Sequence, residues 1–100
     1  MGADYWAWSV RKDALNRQKH SISFATASLV FCDPYHRSFH DSCSHEERWQ
    51  TYGLVHGILI VVIHTEPVLS GDALLAPGRI ISARKATKQE RRAFEERSDD

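Results

Sequence analysis

The segment Leu59-Ile60-Val61-Val62-Ile63-His64-Thr65 is the strongest constraint on how this chain can fold. Nearly every residue in it is apolar or β-branched, and polar residues do not alternate with apolar ones until His64. That is the pattern of a central strand buried on both faces. The longest apolar run, Ile58 to Ile63, is far short of the roughly 20 residues a membrane-spanning helix needs. A sheet with this segment at its centre is therefore the organising expectation.

Its neighbours can be read outward from it. Glu47 to Leu54 reads as a strand, with Trp49, Thr51 and Gly53 on one face and Arg48, Gln50, Tyr52 and Leu54 on the other. Val55-His56-Gly57 is a tight turn that would pair this strand with Ile58 to Thr65 as a β-hairpin. Arg79 to Ala83, Tyr35 to His40 and the aromatic Tyr5 to Trp8 read as further short strands. The polar stretch Asp41 to His45 reads as a loop, and residues 67–78, with Pro67, Gly71, Pro77 and Gly78, as a longer one.

Helix signals flank these strands. Ser9 suits the N-cap of a helix from Val10 to His20, in which Val10, Ala14 and Leu15 recur at helical spacing. Ser23 can cap a second helix with Phe24, Ala27, Leu29, Val30 and Phe31 on its apolar face, and Asp33-Pro34 ends it. Thr87 followed by Glu90 is a capping box for a last helix from Lys88 to Arg97. The expected fold is a single α+β domain over residues 1–100, with N-terminal helices, an antiparallel four- to five-stranded sheet and a C-terminal helix. Hydrophobic residues make up 42% and charged residues 26%, which argues against disorder. No apolar segment stands in the first 20 residues, and the two cysteines are too few for a disulfide scaffold. A reduced, cytoplasmic chain with no membrane contact is expected.

The formal net charge of zero conceals a strong asymmetry. Residues 1–20 are net +2, residues 33–72 net −4, and residues 79–97 net +4. A small protein so divided can face both a polyanion and a protein partner, although a basic helix face is also commonly just solvated.

Three constellations could carry chemistry. Ile80-Ile81-Ser82-Ala83-Arg84-Lys85-Ala86-Thr87 is a strand running into a basic helix start. Guanidinium forks and free helix N–H groups both suit a phosphate, and a solvated strand end is the alternative. Ser44-His45-Glu46-Glu47-Arg48 gathers an imidazole, two carboxylates and a guanidinium. RNA cleavage through the 2′-hydroxyl needs a base, an acid and a cation of these types, but exposed ion-pair loops have the same composition. His36, His40, Cys43 and His45 have the residue types of a zinc site without its usual spacing.

Taken together, the chain resembles the BrnT toxins of bacterial type II toxin–antitoxin modules. The matching stretches are Trp8 with Lys12 and Asn16, Lys19 to Phe24, Val30 to Pro34, His45 to Trp49 with Gly53, and Leu59 to Glu66. The most specific is Arg79 to Thr87, followed by Glu90, Arg91, Arg92 and Glu95. The family usually has glycine where this chain has Ser21, and residues 67–78 are an insertion relative to it.

The resemblance implies a RelE-like fold and a metal-independent endoribonuclease that blocks translation, with no cofactor. Arg84 and Lys85 would be the catalytic cations, and His20 and Glu46 or Glu47 the acid and base. Arg48, Arg79, Lys88 and Arg91 would contact RNA. It also implies a cognate DNA-binding, BrnA-like antitoxin, a hetero-oligomer with it, and operator contact only through that partner. A degenerate toxin that only binds antitoxin, and a plain nucleic-acid-binding domain, are the competing readings.

Overall fold

The computed structural model describes residues 5–42 and 46–98. In chain order the elements are β1 (Trp6–Ala7), α1 (Val10–His20), α2 (Phe24–Ala27), a 3₁₀ turn (Ser28–Cys32), β2 (Arg37–Asp41) and β3 (Arg48–Val55). They continue with β4 (Ile58–His64), β5 (Val68–Ser70), β6 (Ala73–Ala76), β7 (Gly78–Lys85) and α3 (Lys88–Ser98). Five strands form one sheet in the order β1-β7-β4-β3-β2, and β5 and β6 form a separate two-stranded hairpin. As expected from its composition, β4 is the middle strand, and Leu59 through Val62 are all buried. The fold is α+β.

The β3–β4 hairpin runs in register from Trp49↔His64 to Val55↔Ile58. His56 (φ 51°) and Gly57 (φ 81°) turn the chain between them. Two successive positive φ angles give the turn the twist that antiparallel strands need. The sheet is not wholly antiparallel, because β1 pairs parallel to β7, Trp6 opposite Gly78. That pairing joins the two ends of the fold, a relation no local pattern encodes. The expected loop at 67–78 is also corrected: it holds β5 and β6, with Gly71 at φ 59° in the turn.

One face of the sheet is covered by α1, α2 and the 3₁₀ turn. Ile22, Phe24, Ala27 and Val30 pack there against Val55, Ile60, Val62, Ile80 and Ala83, with Trp6, Trp8 and Phe31 at the margin. At roughly 1.5–3 kcal/mol per large apolar side chain buried, this layer holds the fold together. Gly53 is required beneath it: a Cβ there would lie 2.8 Å from the Val30 carbonyl oxygen. The second helix is shorter than expected, because after Ala27 the backbone tightens into the 3₁₀ turn. Asp33 then accepts hydrogen bonds from Tyr35 N–H (3.0 Å) and Leu54 N–H (2.8 Å), so the next strand starts at Arg37 instead of Tyr35.

Helix α1 has the expected limits and cap, with Ser9 Oγ accepting from Lys12 N–H at 3.2 Å. Its expected apolar stripe does not face the core: Val10 is 81% and Leu15 52% exposed. The buried residue is Asn16. Its amide donates to the carbonyls of Ile22 (3.0 Å) and Ala83 (2.9 Å) and accepts from Ala83 N–H (3.1 Å). Hydrogen bonds to β7, more than apolar burial, dock this helix. It ends at Ser21, whose φ of 61° is the left-handed conformation glycine favours.

Candidate functional site

On the opposite face, β7 ends at Lys85 and α3 begins at Lys88, so Arg84 stands where the strand gives way to the helix. The capping box forms as expected: Thr87 N–H donates to Glu90 Oε1 (2.8 Å), and Glu90 N–H donates to Thr87 Oγ1 (3.1 Å). This fixes the Glu90 carboxylate against the strand. The Arg84 fork grips it with two hydrogen bonds, Nη1 to Oε1 at 2.8 Å and Nη2 to Oε2 at 3.1 Å. Tyr52, reaching across from β3, donates its hydroxyl to Glu90 Oε2 at 2.9 Å.

The electrostatics follow from these contacts. The Arg84 hydrogen bonds, helped by Thr87 and Tyr52 and opposed by partial burial, lower the Glu90 pKa to about 2. The same carboxylate raises the Arg84 pKa. Burial, then the hydrogen bond to Glu90, raises that of Tyr52, which stays a neutral donor at physiological pH. Arg84 keeps 39% of its side chain exposed, so the fork is reachable from solvent. Lys85, Lys88 and Arg91 are exposed around it.

Glu46 belongs to a second cluster. It accepts from Arg79 Nη2 at 2.5 Å and from Arg48 Nε at 3.3 Å, and these two cations outweigh desolvation to hold its pKa low. Glu46 and Arg79, with Trp49, Thr65 and Pro67, border an open cleft of about 470 Å³. Glu47 faces His40 at 3.7 Å. His20 closes α1, on the side of the sheet away from α3, and no described hydrogen bond or ion pair joins it to Arg84 or Glu46. The structure therefore brings together Arg84 with Glu90, and Glu46 with Arg48 and Arg79, without uniting the five expected catalytic residues in one contact network.

Two participants escape the sequence reading. Glu90 is legible as a helix cap, but its second role needs the strand-to-helix turn to fold it back on Arg84. Tyr52 is legible only as a strand residue sharing a face with Arg48, Gln50 and Leu54, 38 positions from the carboxylate it meets.

His64 is buried beneath the opposite layer. The Thr65 carbonyl, 3.0 Å from its Nδ1, can only accept, so Nδ1 carries the proton. Burial lowers the pKa of the ring, leaving Nε2 to accept from the Thr51 hydroxyl at 2.5 Å. Thr51 in turn receives the Ser38 hydroxyl at 2.7 Å. The stacked Trp6 and Phe31 rings both lie nearly perpendicular to the imidazole, with centroids at 5.0 and 4.9 Å, and this aromatic packing with its burial marks His64 as a core residue. Cys43 and His45 of the zinc-like set lie outside the described residues. Among the described residues no three His, Cys, Asp or Glu side chains gather as a metal-binding group.

An exposed guanidinium fork set at a strand end, beside a phenol and a carboxylate and ringed by cations, is equipment for handling a phosphodiester. In a small α+β domain, that defines a candidate nucleic-acid-processing protein. The family model for the ribonuclease toxin BrnT of type II toxin–antitoxin systems matches residues 8–90, and the chain belongs to this family. No curated relative matches the sequence. The matched residues include Arg84 and Glu90. Members of the family are ribonuclease toxins, and a type II system pairs its toxin with a protein antitoxin.

Proposed function

We propose that this chain is an endoribonuclease of RelE-like architecture that cuts RNA at the β7–α3 junction, using Arg84 as its central cation. The observation that carries this reading is the two-pronged grip of Arg84 on Glu90, with the Tyr52 hydroxyl on the same carboxylate. A guanidinium that matches two carboxylate oxygens matches two non-bridging phosphate oxygens equally well. Exchange of Glu90 for the scissile phosphate places positive charge where the pentacoordinate transition state accumulates negative charge.

The exchange also readies a base. Arg84 is the main reason the Glu90 pKa is near 2, and a carboxylate that weakly basic is a poor proton acceptor. Once the phosphate takes the fork, the Glu90 pKa rises towards the ordinary carboxylate range. Glu90 can then accept the proton of the attacking 2′-hydroxyl, while neutral Tyr52 supplies a proton to the departing 5′-oxygen. The products are a 2′,3′-cyclic phosphate and a 5′-hydroxyl, and no metal ion takes part. Lys85, Lys88 and Arg91 guide the backbone on one side, with Arg48 and Arg79 on the other. His20, Glu46 and Glu47 remain rival acid and base assignments, and single substitutions at each, set beside Tyr52→Phe and Glu90→Gln, decide between them.

A DNA-binding, BrnA-like antitoxin that covers the basic face would compete with RNA for the same charges. The two proteins would form a hetero-oligomer that reaches operator DNA through the antitoxin alone.

The deciding experiment is cleavage of single-stranded RNA by purified protein with excess EDTA present. A folded Arg84→Ala variant should lose roughly 10²-fold or more in rate, the usual loss for removing one transition-state donor. Full cleavage by that variant, or loss of wild-type activity on chelation, refutes the mechanism. Absence of any cleavage, together with tight antitoxin binding, identifies a degenerate toxin whose Arg84 stays locked to Glu90.

A further inference from the structure

Beside the Arg84 clamp, the outer half of the sheet and helix α3 enclose an open cleft of about 240 Å³. Its walls are aromatic and aliphatic: Phe39 from β2, Tyr52 from β3, and Ala93 and Phe94 from α3. The register explains the grouping, because Arg37 lies opposite Tyr52 and Phe39 opposite Gln50, so all four side chains share one face. Phe39 and Tyr52 meet edge to face at 5.7 Å. Phe39 is 41% exposed, and Phe94 closes the far side as a buried residue.

Two features distinguish this cleft from a packing defect. Tyr52 and Glu90 are among its lining residues, and the Glu90 carboxylate joins Tyr52 to Arg84, so the cleft adjoins the proposed cleavage site. Gln50 lines it, and among the described residues nothing hydrogen-bonds the Gln50 side-chain amide. A carboxamide within an apolar slot offers a donor and an acceptor side by side, which is the pairing a base edge requires. The volume is below the roughly 300–1,000 Å³ of sites for larger ligands, and suits one planar ring system.

We propose that this cleft is the specificity subsite for an unpaired RNA base adjoining the cut phosphate. The base inserts between the Phe39–Tyr52 pair and Phe94, and Gln50 reads its edge. Aromatic side chains recognise single-stranded RNA by stacking, and hydrogen bonds to exposed base edges select among the four bases. Arg37 and Arg84, at the cleft and beside it, attract the flanking phosphates. The inference rests on the ribonuclease reading for its biological meaning, but binding of a base can be measured without cleavage.

Two measurements on the folded chain test it. In the first, wild type and Gln50→Leu cut a random single-stranded RNA pool, and the new ends are sequenced. Wild type should prefer one base at a fixed position next to the cut, and Gln50→Leu should flatten that preference by roughly 5- to 150-fold. An unchanged base profile overturns the proposal even if Arg84→Ala abolishes cleavage, and leaves the ribonuclease reading intact.

In the second, the four nucleoside 5′-monophosphates are titrated while NMR follows the ring protons of Phe39, Tyr52 and Phe94. Shifts on all three rings that differ between bases, and that weaken in Phe39→Ala, support the subsite whether or not the protein cuts RNA. Rings that ignore every nucleotide but respond to an antitoxin peptide make the cleft a protein-docking groove and overturn it.

Discussion

Replacing Glu90 by Gln separates charge from shape at the β7–α3 junction. The native carboxylate receives four hydrogen bonds, from Thr87 N–H, both Arg84 Nη atoms and the Tyr52 hydroxyl. An amide keeps the size but has a single acceptor oxygen, and turns an NH₂ group towards some of these donors. The fall of the Glu90 pKa from 4.5 to about 2 measures what the folded state gains from the charge. At about 1.4 kcal/mol per pH unit, the ceiling is about 3 kcal/mol. Glu90 is 24% and Arg84 39% exposed at the side chain, so water screens the pair. The expected loss is therefore about 1–2 kcal/mol. In a domain this small, that lowers Tm by roughly 4–16 °C.

The pH dependence identifies the cause. A carboxylate whose pKa is lower in the folded state contributes fully above the unfolded value of 4.5, and the contribution disappears as pH falls towards 2. Thermal unfolding followed by circular dichroism should show wild type well above Glu90→Gln at about pH 7, and the two close together at about pH 2.5. A gap of constant size across that range would refute the charge argument and leave Glu90 as a cap alone.

Other substitutions probe the rest of the frame. Gly53→Ala forces a methyl group against the Val30 backbone and should cost about 1–3 kcal/mol in urea unfolding, with no change of fold by circular dichroism. Ser21→Gly removes the strain of φ 61° at the end of α1 and should raise stability by about 0.5–1 kcal/mol, read as a higher Tm. His64 is held neutral by burial, so as pH falls through 6.5 the unfolded chain takes up a proton first and stability declines. Urea unfolding across that range should show this slope in wild type and a flatter one in His64→Gln.

Much of the frame is legible in the sequence where the signal is local. Ser9, Ser23 and the Thr87–Glu90 pair mark helix starts because each cap is satisfied within three residues. The unbroken apolar run at β4 reveals its central place, and the His56-Gly57 turn its partner. Other features depend on distant partners. Pro67, Gly71 and Pro77 make the β5–β6 hairpin look like a loop, since its ladder is only a few residues long. Helix α1 misleads more deeply: its apolar residues face water, and a buried Asn16 bonded to a strand 67 residues away sets its docked face. At the candidate site, the cations of residues 79–97 are plain, but the partial neutralisation of Arg84 by Glu90 is invisible until the chain turns back on itself.

The parallel pairing of Trp6–Ala7 with Gly78–Arg79 has a consequence for the order of events during synthesis. The first strand made must wait for the last before it has a neighbour, and Asn16 must likewise wait for Ala83. About seventy residues separate these partners, several seconds of translation at ≈ 5–20 residues per second. Through that interval the nascent N-terminal helices have only part of their sheet, and Arg84 has not left the ribosome. Completion of the sheet and arrival of the arginine coincide, because both belong to β7, so the five-stranded core and the β7–α3 junction take shape together. An antitoxin segment that binds only the finished basic face has no earlier form of the toxin to intercept.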